Sequence, residues 1–405
     1  MPRPDATPGR RADLARGIFL CLLSTLSVAA ALLIAPVLPR IVAHFAGQPH
    51  AQELALLALT APALVVALSA PLLGRLADRA GRRPLLLAGL LLYGLCGVLP
   101  MVLDDLGLIL LSRLGVGLAE AAVITASTTL IGDHYQGAER EAWLVRQTGT
   151  ASLSSILFLL LGGLLGEENW RLPFALYALA LPAIPVALLL LREPAAPQAG
   201  KPALAAPVEG LPWRQLGPLY GVALFAAILF FMAPIQLPFL LAARGESSPQ
   251  VVGLMNAAGA FAVPLGGLLF RWLGWSSLRA VLGLAFALAA AGLGLLAGPG
   301  GMAVLLAGVL AAGLGCGILL PALLTAIMAL LPFAQRGRGT GAWQTAFFAG
   351  NFLSPVLVIA LTGALGGLAS ALLAVAGLSA LAALLGLVPF WIARPRPGAA
   401  RGEPS

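Results

Sequence analysis

Two ionisable side chains interrupt one long apolar run. In LGLILLSRLGVGLAEAAVITAS (106–127), Arg113 and Glu120 stand seven residues apart. On a helix that spacing puts them on one face, separated by about 10 Å along the axis. In a lipid surround each costs about 2.5–3.5 kcal/mol at the helix centre on insertion scales, so such residues usually face a cavity. A carboxylic acid so placed can take up and release a proton as its access to water changes, while a guanidinium supplies a fixed positive charge. The chemistry this pair offers is proton exchange at Glu120 beside Arg113. The alternative is a structural polar pair bonded to backbone or to Thr125 and Ser127.

Little else in the chain suggests chemistry. His44, His50 and His134 lie far from any paired cysteine, so no zinc site or other metal is expected. Cys21, Cys96 and Cys316 are odd in number and sit inside apolar runs, which argues against a disulfide framework. No acid–base or metal cluster supports an enzyme. The glycine-rich stretches lack G-x-x-x-x-G-K-[ST], so neither ATP nor another cofactor is expected to drive the protein.

The elements that must position the pair follow from composition. Of 405 residues, 60% are hydrophobic and 10% charged, against roughly 45–50% and about 25% in soluble domains. Mean hydropathy is +0.97, so most of the chain has lipid as its solvent. The net charge of +8 forms no basic face, and nucleic acid is not expected as a partner. A membrane helix needs about 20 mainly apolar residues. Apolar runs between breaks predict twelve spans, at about 17–43, 51–75, 84–103, 106–132, 142–165, 170–191, 215–243, 249–273, 277–297, 301–331, 337–363 and 367–392. The first is too long for a signal peptide, lacks a small-residue cleavage site and is expected to stay in the protein.

Of 24 basic residues, 20 fall in segments on the amino-terminal side of the membrane; Arg40, Arg171 and Arg244 fall opposite, and Arg113 lies within a span. By the positive-inside rule both termini are expected in the cytoplasm. Residues 192–214 are rich in Pro and Ala and read as a connector. That divides the chain into a six-span half (1–191), a cytoplasmic linker (192–214), and a second half with a short tail (215–405). The halves repeat. PLLGRLADRAGRRPLLLAGL (71–90) aligns with 264–283, IAPVLP (34–39) with MAPIQLP (232–238), and LLSRLGVG (110–117) with LAAGLGCG (310–317). In this repeat Arg113 corresponds to Gly313 and Glu120 to Leu320, so the architecture itself needs neither charge. Parallel repeats of this kind are a transporter architecture, with binding at the midplane between halves.

GRLADRAGRRPLL (74–86) matches the loop motif G-x-L-A-D-R-x-G-R-[KR]-x-x-L of the major facilitator superfamily, which the chain resembles over nearly its whole length. The resemblance implies an all-α membrane fold of twelve transmembrane helices in two six-helix pseudo-repeats. It also implies a conformational latch at Gly74, Asp78, Arg79, Gly81, Arg82 and Arg83, with Gly74 permitting close helix approach and Asp133 pairing with the loop arginines. A second family motif, R-x-x-Q-G-x-G-x-A, is matched at Arg113, Gly117 and Ala121, with Val116 and Ala119 in place of Gln and Gly. This places Arg113 in the family's proton-coupling region. The motifs are most similar to those of drug–proton antiporters, as is Trp170-Arg171-x-x-Phe174. The antiporter G-P-x-x-G-G is degenerate, however, with Gly162 and Gly163 kept but Phe158 and Leu159 in place of Gly-Pro.

By analogy with the family, spans 1, 4, 7 and 10 line the cavity. Candidate residues are the proline-broken stretches Pro36–Pro39 and Pro234–Pro238, together with Thr125, Phe230, Phe231, Gln236, Asn256, Gln344 and Asn351. So few polar groups suit an amphiphilic or hydrophobic solute better than a sugar. The expectation is a bacterial inner-membrane carrier, monomeric, moving a small organic solute against protons by alternating access, in the export direction. Proton-linked uptake of a small organic solute, an anion near Arg113 included, stays open. So does a non-transporting receptor on the same fold.

Overall fold

The computed structural model describes residues 8–191, 211–272, 277–332 and 335–385. Among them twelve helical segments are long and apolar enough to cross a membrane: Ala12–His44, Ala51–Ala70, Arg82–Met101, Leu106–His134, Gly137–Glu168, Leu172–Leu190, Trp213–Ala242, Pro249–Trp272, Leu278–Ala297, Met302–Ala329, Arg338–Leu365 and Leu368–Leu385. They are spans 1 to 12 below. The protein is an all-α, multi-pass membrane protein. The connector expected at 192–214 lies outside the described residues as far as 210, and so does everything after 385.

Where the prolines fall decides how straight a span is. Span 1 is a helix from Pro8 to Leu32, a 3₁₀ turn at Ala35–Val37 and a short helix at Leu38–His44. Pro36 and Pro39 have no N–H to donate back, so the helical ladder fails there. The break expected at Pro234–Pro238 does not occur, since Trp213–Ala242 is continuous with both prolines inside. The missing N–H of Pro238 strands the carbonyl of Pro234 four residues earlier, and Asn256 Nδ2 of span 8 donates to it at 3.1 Å. A neighbouring helix thus supplies the lost donor and the helix runs on.

Within the first six spans, span 4 packs on spans 2 and 3 and span 1 packs on span 5; within the last six, span 10 packs on spans 8 and 9 and span 7 on span 11. Small residues let these helices meet where lipid gives no hydrophobic drive. The repeat shows in that packing. A β-carbon on Gly117 would stand 2.6 Å from the Pro62 carbonyl oxygen, and one on its counterpart Gly317 would stand 2.1 Å from that of Val263. Gly313, the counterpart of Arg113, is also a crossing point, its β-carbon position 2.3 Å from the Gly259 carbonyl oxygen. One half uses that position to seat a helix, the other to place a charge.

Candidate functional site

Span 4 starts where Asp105 accepts from Leu108 N–H at 2.8 Å, fixing its first turn. From there the helix carries Arg113 and Glu120 inward, and both are buried. Arg113 Nη2 donates to the Ala30 carbonyl at 3.1 Å and to the Tyr177 hydroxyl at 2.8 Å. Its guanidinium lies over the Tyr177 ring, 4.7 Å from the centroid. Tyr177 donates to Ala29 O at 3.3 Å and Tyr93 to Leu26 O at 2.5 Å. These acceptors, Leu26, Ala29 and Ala30, lie along the last two turns of the first helix of span 1, where a carbonyl's second lone pair can take a side-chain donor. Arg113 Nε and Nη1 are buried without a hydrogen-bond partner among the described residues. Glu120 takes a different partner, with Ser27 Oγ donating to its Oε1 at 2.6 Å. Among the described residues no ion pair joins Arg113 to Glu120.

A cavity of about 340 Å³ lies in mid-bundle between the halves, within the range of small-molecule sites. Spans 1, 5, 7, 8, 10 and 11 line it. Of the residues expected there, Phe230, Phe231, Pro234, Asn256 and Asn351 are on the wall. Pro36, Pro39, Thr125, Gln236 and Gln344 are not. Gln236 is buried elsewhere in the packing, and Gln344 is exposed farther along span 11. Neither Arg113 nor Glu120 touches the cavity; only Ser27, the partner of Glu120, does. Among the described residues the wall holds no charged side chain. Its aromatic part is a contiguous set, with Phe347 5.6 Å from Phe230, 5.1 Å from Phe231 and 6.1 Å from Phe348 between centroids.

The loop motif lies at the arginine-rich end. Arg82 pairs with Asp133 of span 4 and lies 3.9 Å from Asp78, and Arg83 Nη2 donates to Leu188 O of span 6 at 2.8 Å. Arg79 is exposed on the last turn before the loop. Gly81, at φ 93° and ψ 151°, ends one helix and starts the next in a conformation open essentially to glycine alone. Gly74 departs from expectation, since a β-carbon there would meet nothing within 4 Å. On that side the wall residues Thr148 and Ser152 are exposed, while span 11 packs on span 2 across the halves.

At the opposite end the halves are shut. A β-carbon on Gly163 of span 5 would stand 2.6 Å from Pro249 O, and one on Gly253 of span 8 would stand 2.5 Å from Leu159 O. Glu167 joins the two halves there. Its carboxylate accepts from the Ser248 hydroxyl at 2.7 Å and from Gln250 N–H at 3.3 Å, while Arg40 Nη2 lies 3.0 Å away within its own half.

The model of the Major Facilitator Superfamily matches residues 20–311 and 219–405. The chain belongs to the Major Facilitator Superfamily. Among relatives of this major facilitator, a lincomycin resistance protein of Streptomyces lincolnensis is 31% identical over 194 residues, 46% of this chain and 35% of that protein. A class E tetracycline resistance protein of Escherichia coli is 31% identical over 163 residues, 40% of each chain. The matched stretches therefore span well under half the length of these curated relatives. In fold, the major facilitator superposes on a bacterial homologue of the human lysosomal transporter Spinster, inward-facing and occupied, with a TM-score of 0.69 at 20% identity, covering 94% of this chain and 95% of that one.

Sequence reasoning missed Ser27, Tyr93, Tyr177 and the Arg40–Glu167–Ser248 group. Ser27 is an ordinary serine in STLS, 93 residues from Glu120, and no spacing joins them. Of the aromatic wall, sequence reasoning missed Phe347 and Phe348, whose adjacency in the chain was the visible signal.

Proposed function

We propose that the protein is a secondary active transporter of the bacterial inner membrane. It moves a small amphiphilic or hydrophobic organic solute outward in exchange for protons by alternating access. The observation that carries this reading is the pairing of an uncharged, partly aromatic cavity between the halves with a buried carboxyl group one hydroxyl away from it. Tightly crossed at spans 5 and 8, with the wall residues Thr148 and Ser152 exposed nearer the arginine-rich loops, the bundle is consistent with one of the two states such a cycle needs. Placing those loops in the cytoplasm by the positive-inside rule makes this the state that loads solute from inside. A gradient of about 100 mV supplies roughly 2.3 kcal/mol per charge moved, enough for about a fifty-fold concentration ratio. The alternative of an organic anion held by Arg113 loses support, because Arg113 is tied to span 1 and Tyr177 and lies off the cavity wall.

The test is proton flux in everted vesicles challenged with lipophilic cations, neutral compounds and organic anions, with wild type and Glu120→Gln side by side. A compound that releases the pH gradient in wild type and not in the variant supports the reading and gives the charge class of the solute. Equal responses in both would show that Glu120 is structural.

A further inference from the structure

Glu120 is separated from the cavity, yet a coupled transporter must let solute and proton sense each other. This inference rests on the proton-coupled reading above and concerns how that sensing occurs. Around Glu120 the ionisable groups close enough to interact are Arg113 on its own span, Tyr93 on span 3 and Tyr177 on span 6. Both tyrosine hydroxyls are committed to carbonyls of span 1, and Arg113 to Ala30 O and Tyr177. None of these three lines the cavity. Ser27 is different on both counts. It lines the cavity, and it makes the one hydrogen bond that Glu120 has among the described residues.

We propose that Ser27 is the coupling hydroxyl between cavity and carboxylate, a positioning and relay residue for the proton rather than a solute ligand alone. A serine hydroxyl has one hydrogen to give and two lone pairs to receive. With its hydrogen given to Glu120 at 2.6 Å, its oxygen keeps two lone pairs to accept from the cavity it lines. When the cavity is wet, a hydronium there gives a proton to Ser27 Oγ as Ser27 passes its own hydrogen to Oε1 of Glu120. One O–H bond forms and one breaks on the serine, the hydronium leaves as water, and Glu120 becomes the neutral acid. The reverse sequence unloads it. A solute that fills the cavity displaces that water and closes the route, so proton and solute occupy the path in turn. No second buried acid in the cavity wall is needed for exchange.

The test uses the full-length protein in proteoliposomes and two readouts. The first is proton release driven by whichever compound the vesicle panel identifies, read with a pH-sensitive dye. The second needs no solute: labelling of Glu120 by dicyclohexylcarbodiimide across a pH series, quantified by mass spectrometry. Ser27→Ala is expected to slow driven proton flux at least about tenfold. It should also move the pH of half-labelling by about one unit, the size expected for losing one hydrogen bond to an ionised group. Ser27→Thr keeps the hydroxyl and should restore both readouts; this separates a relay from a packing role. Ser69→Ala, on span 2 away from the cavity wall with its hydroxyl bonded to Val65 O, should behave as wild type and reports on folding. If Ser27→Ala keeps flux within twofold and an unchanged labelling profile while Glu120→Gln is inactive, the relay is wrong and proton coupling stands. If Glu120→Gln itself transports and releases protons normally, the coupling reading fails, and the relay with it.

Discussion

Glu167→Ala is expected to release the shut end of the bundle. Across the halves this carboxylate accepts two hydrogen bonds, from the Ser248 hydroxyl at 2.7 Å and from Gln250 N–H at 3.3 Å. The Arg40 pair lies within the first half and orients the carboxylate, with side chains 33% and 38% exposed. Bonds to ionised groups contribute about 1.5–3 kcal/mol each when buried. Solvent reaches this group, so each is scaled down to about 0.5–1.5 kcal/mol. Together they favour the shut state by about 1–3 kcal/mol, a factor of about 5 to 150 in the conformational equilibrium. Spin labels on Ala46→Cys and Ala243→Cys, in a background without the native cysteines, would report the distance between halves at that end by pulsed dipolar spectroscopy. Both positions are exposed. The variant should grow a longer-distance population by a factor in that range. Ser248→Ala should give part of the shift, and the double variant should fall short of the sum, because both remove the same bond. An unchanged distance distribution in Glu167→Ala, or strict additivity with Ser248→Ala, would refute the assignment of Glu167 as a tie between halves.

Three further outcomes follow from positions described above. Gly163→Val puts a side chain where a β-carbon already stands 2.6 Å from Pro249 O; the same pair of labels should show a bundle unable to shut at that end, with transport lost. Asn256→Ala strands the Pro234 carbonyl left without a donor by Pro238; a loss of about 1–3 kcal/mol is expected, read as a lower unfolding midpoint in detergent. Gly81→Ala forces a β-carbon into backbone at φ 93° and ψ 151°; about 1–3 kcal/mol of strain should appear as a lower midpoint and faster proteolysis at the loop between spans 2 and 3.

What the sequence disclosed and what it hid divide along the reach of periodic signals. Apolar runs locate spans because each satisfies its own backbone, so the twelve segments and the isolation of Arg113 and Glu120 are visible one helix at a time. Gly117 and Gly317 were visible as a repeat, and their shared crossing role agrees with that alignment. Contacts between spans leave no such trace. Tyr177 meets Arg113 across 64 residues and Ser27 meets Glu120 across 93, distances at which no helical or strand period operates. Gly74 illustrates the opposite error. Its motif position predicts a close helix approach, and nothing stands within 4 Å of where its β-carbon would be. Gln236 and Gln344 were chosen by polarity, yet a mid-membrane polar side chain is as readily enclosed by packing or left on an open face as turned to a cavity.

The polar cluster around Arg113 also sets an order of assembly. Its acceptors on Leu26, Ala29 and Ala30 belong to span 1, which leaves the ribosome before the rest of the cluster, Tyr93 arrives with span 3 and the arginine itself with span 4. Tyr177, which takes the second hydrogen bond from Arg113, arrives only with the sixth. Until then a span carrying two ionisable groups must wait in the translocation channel or against its neighbours, since lipid alone holds it poorly. The charged centre of the first six spans is therefore completed only by the sixth. A nascent chain released after span 5 would leave that centre open, marking it for quality-control proteases rather than for a stable partial fold.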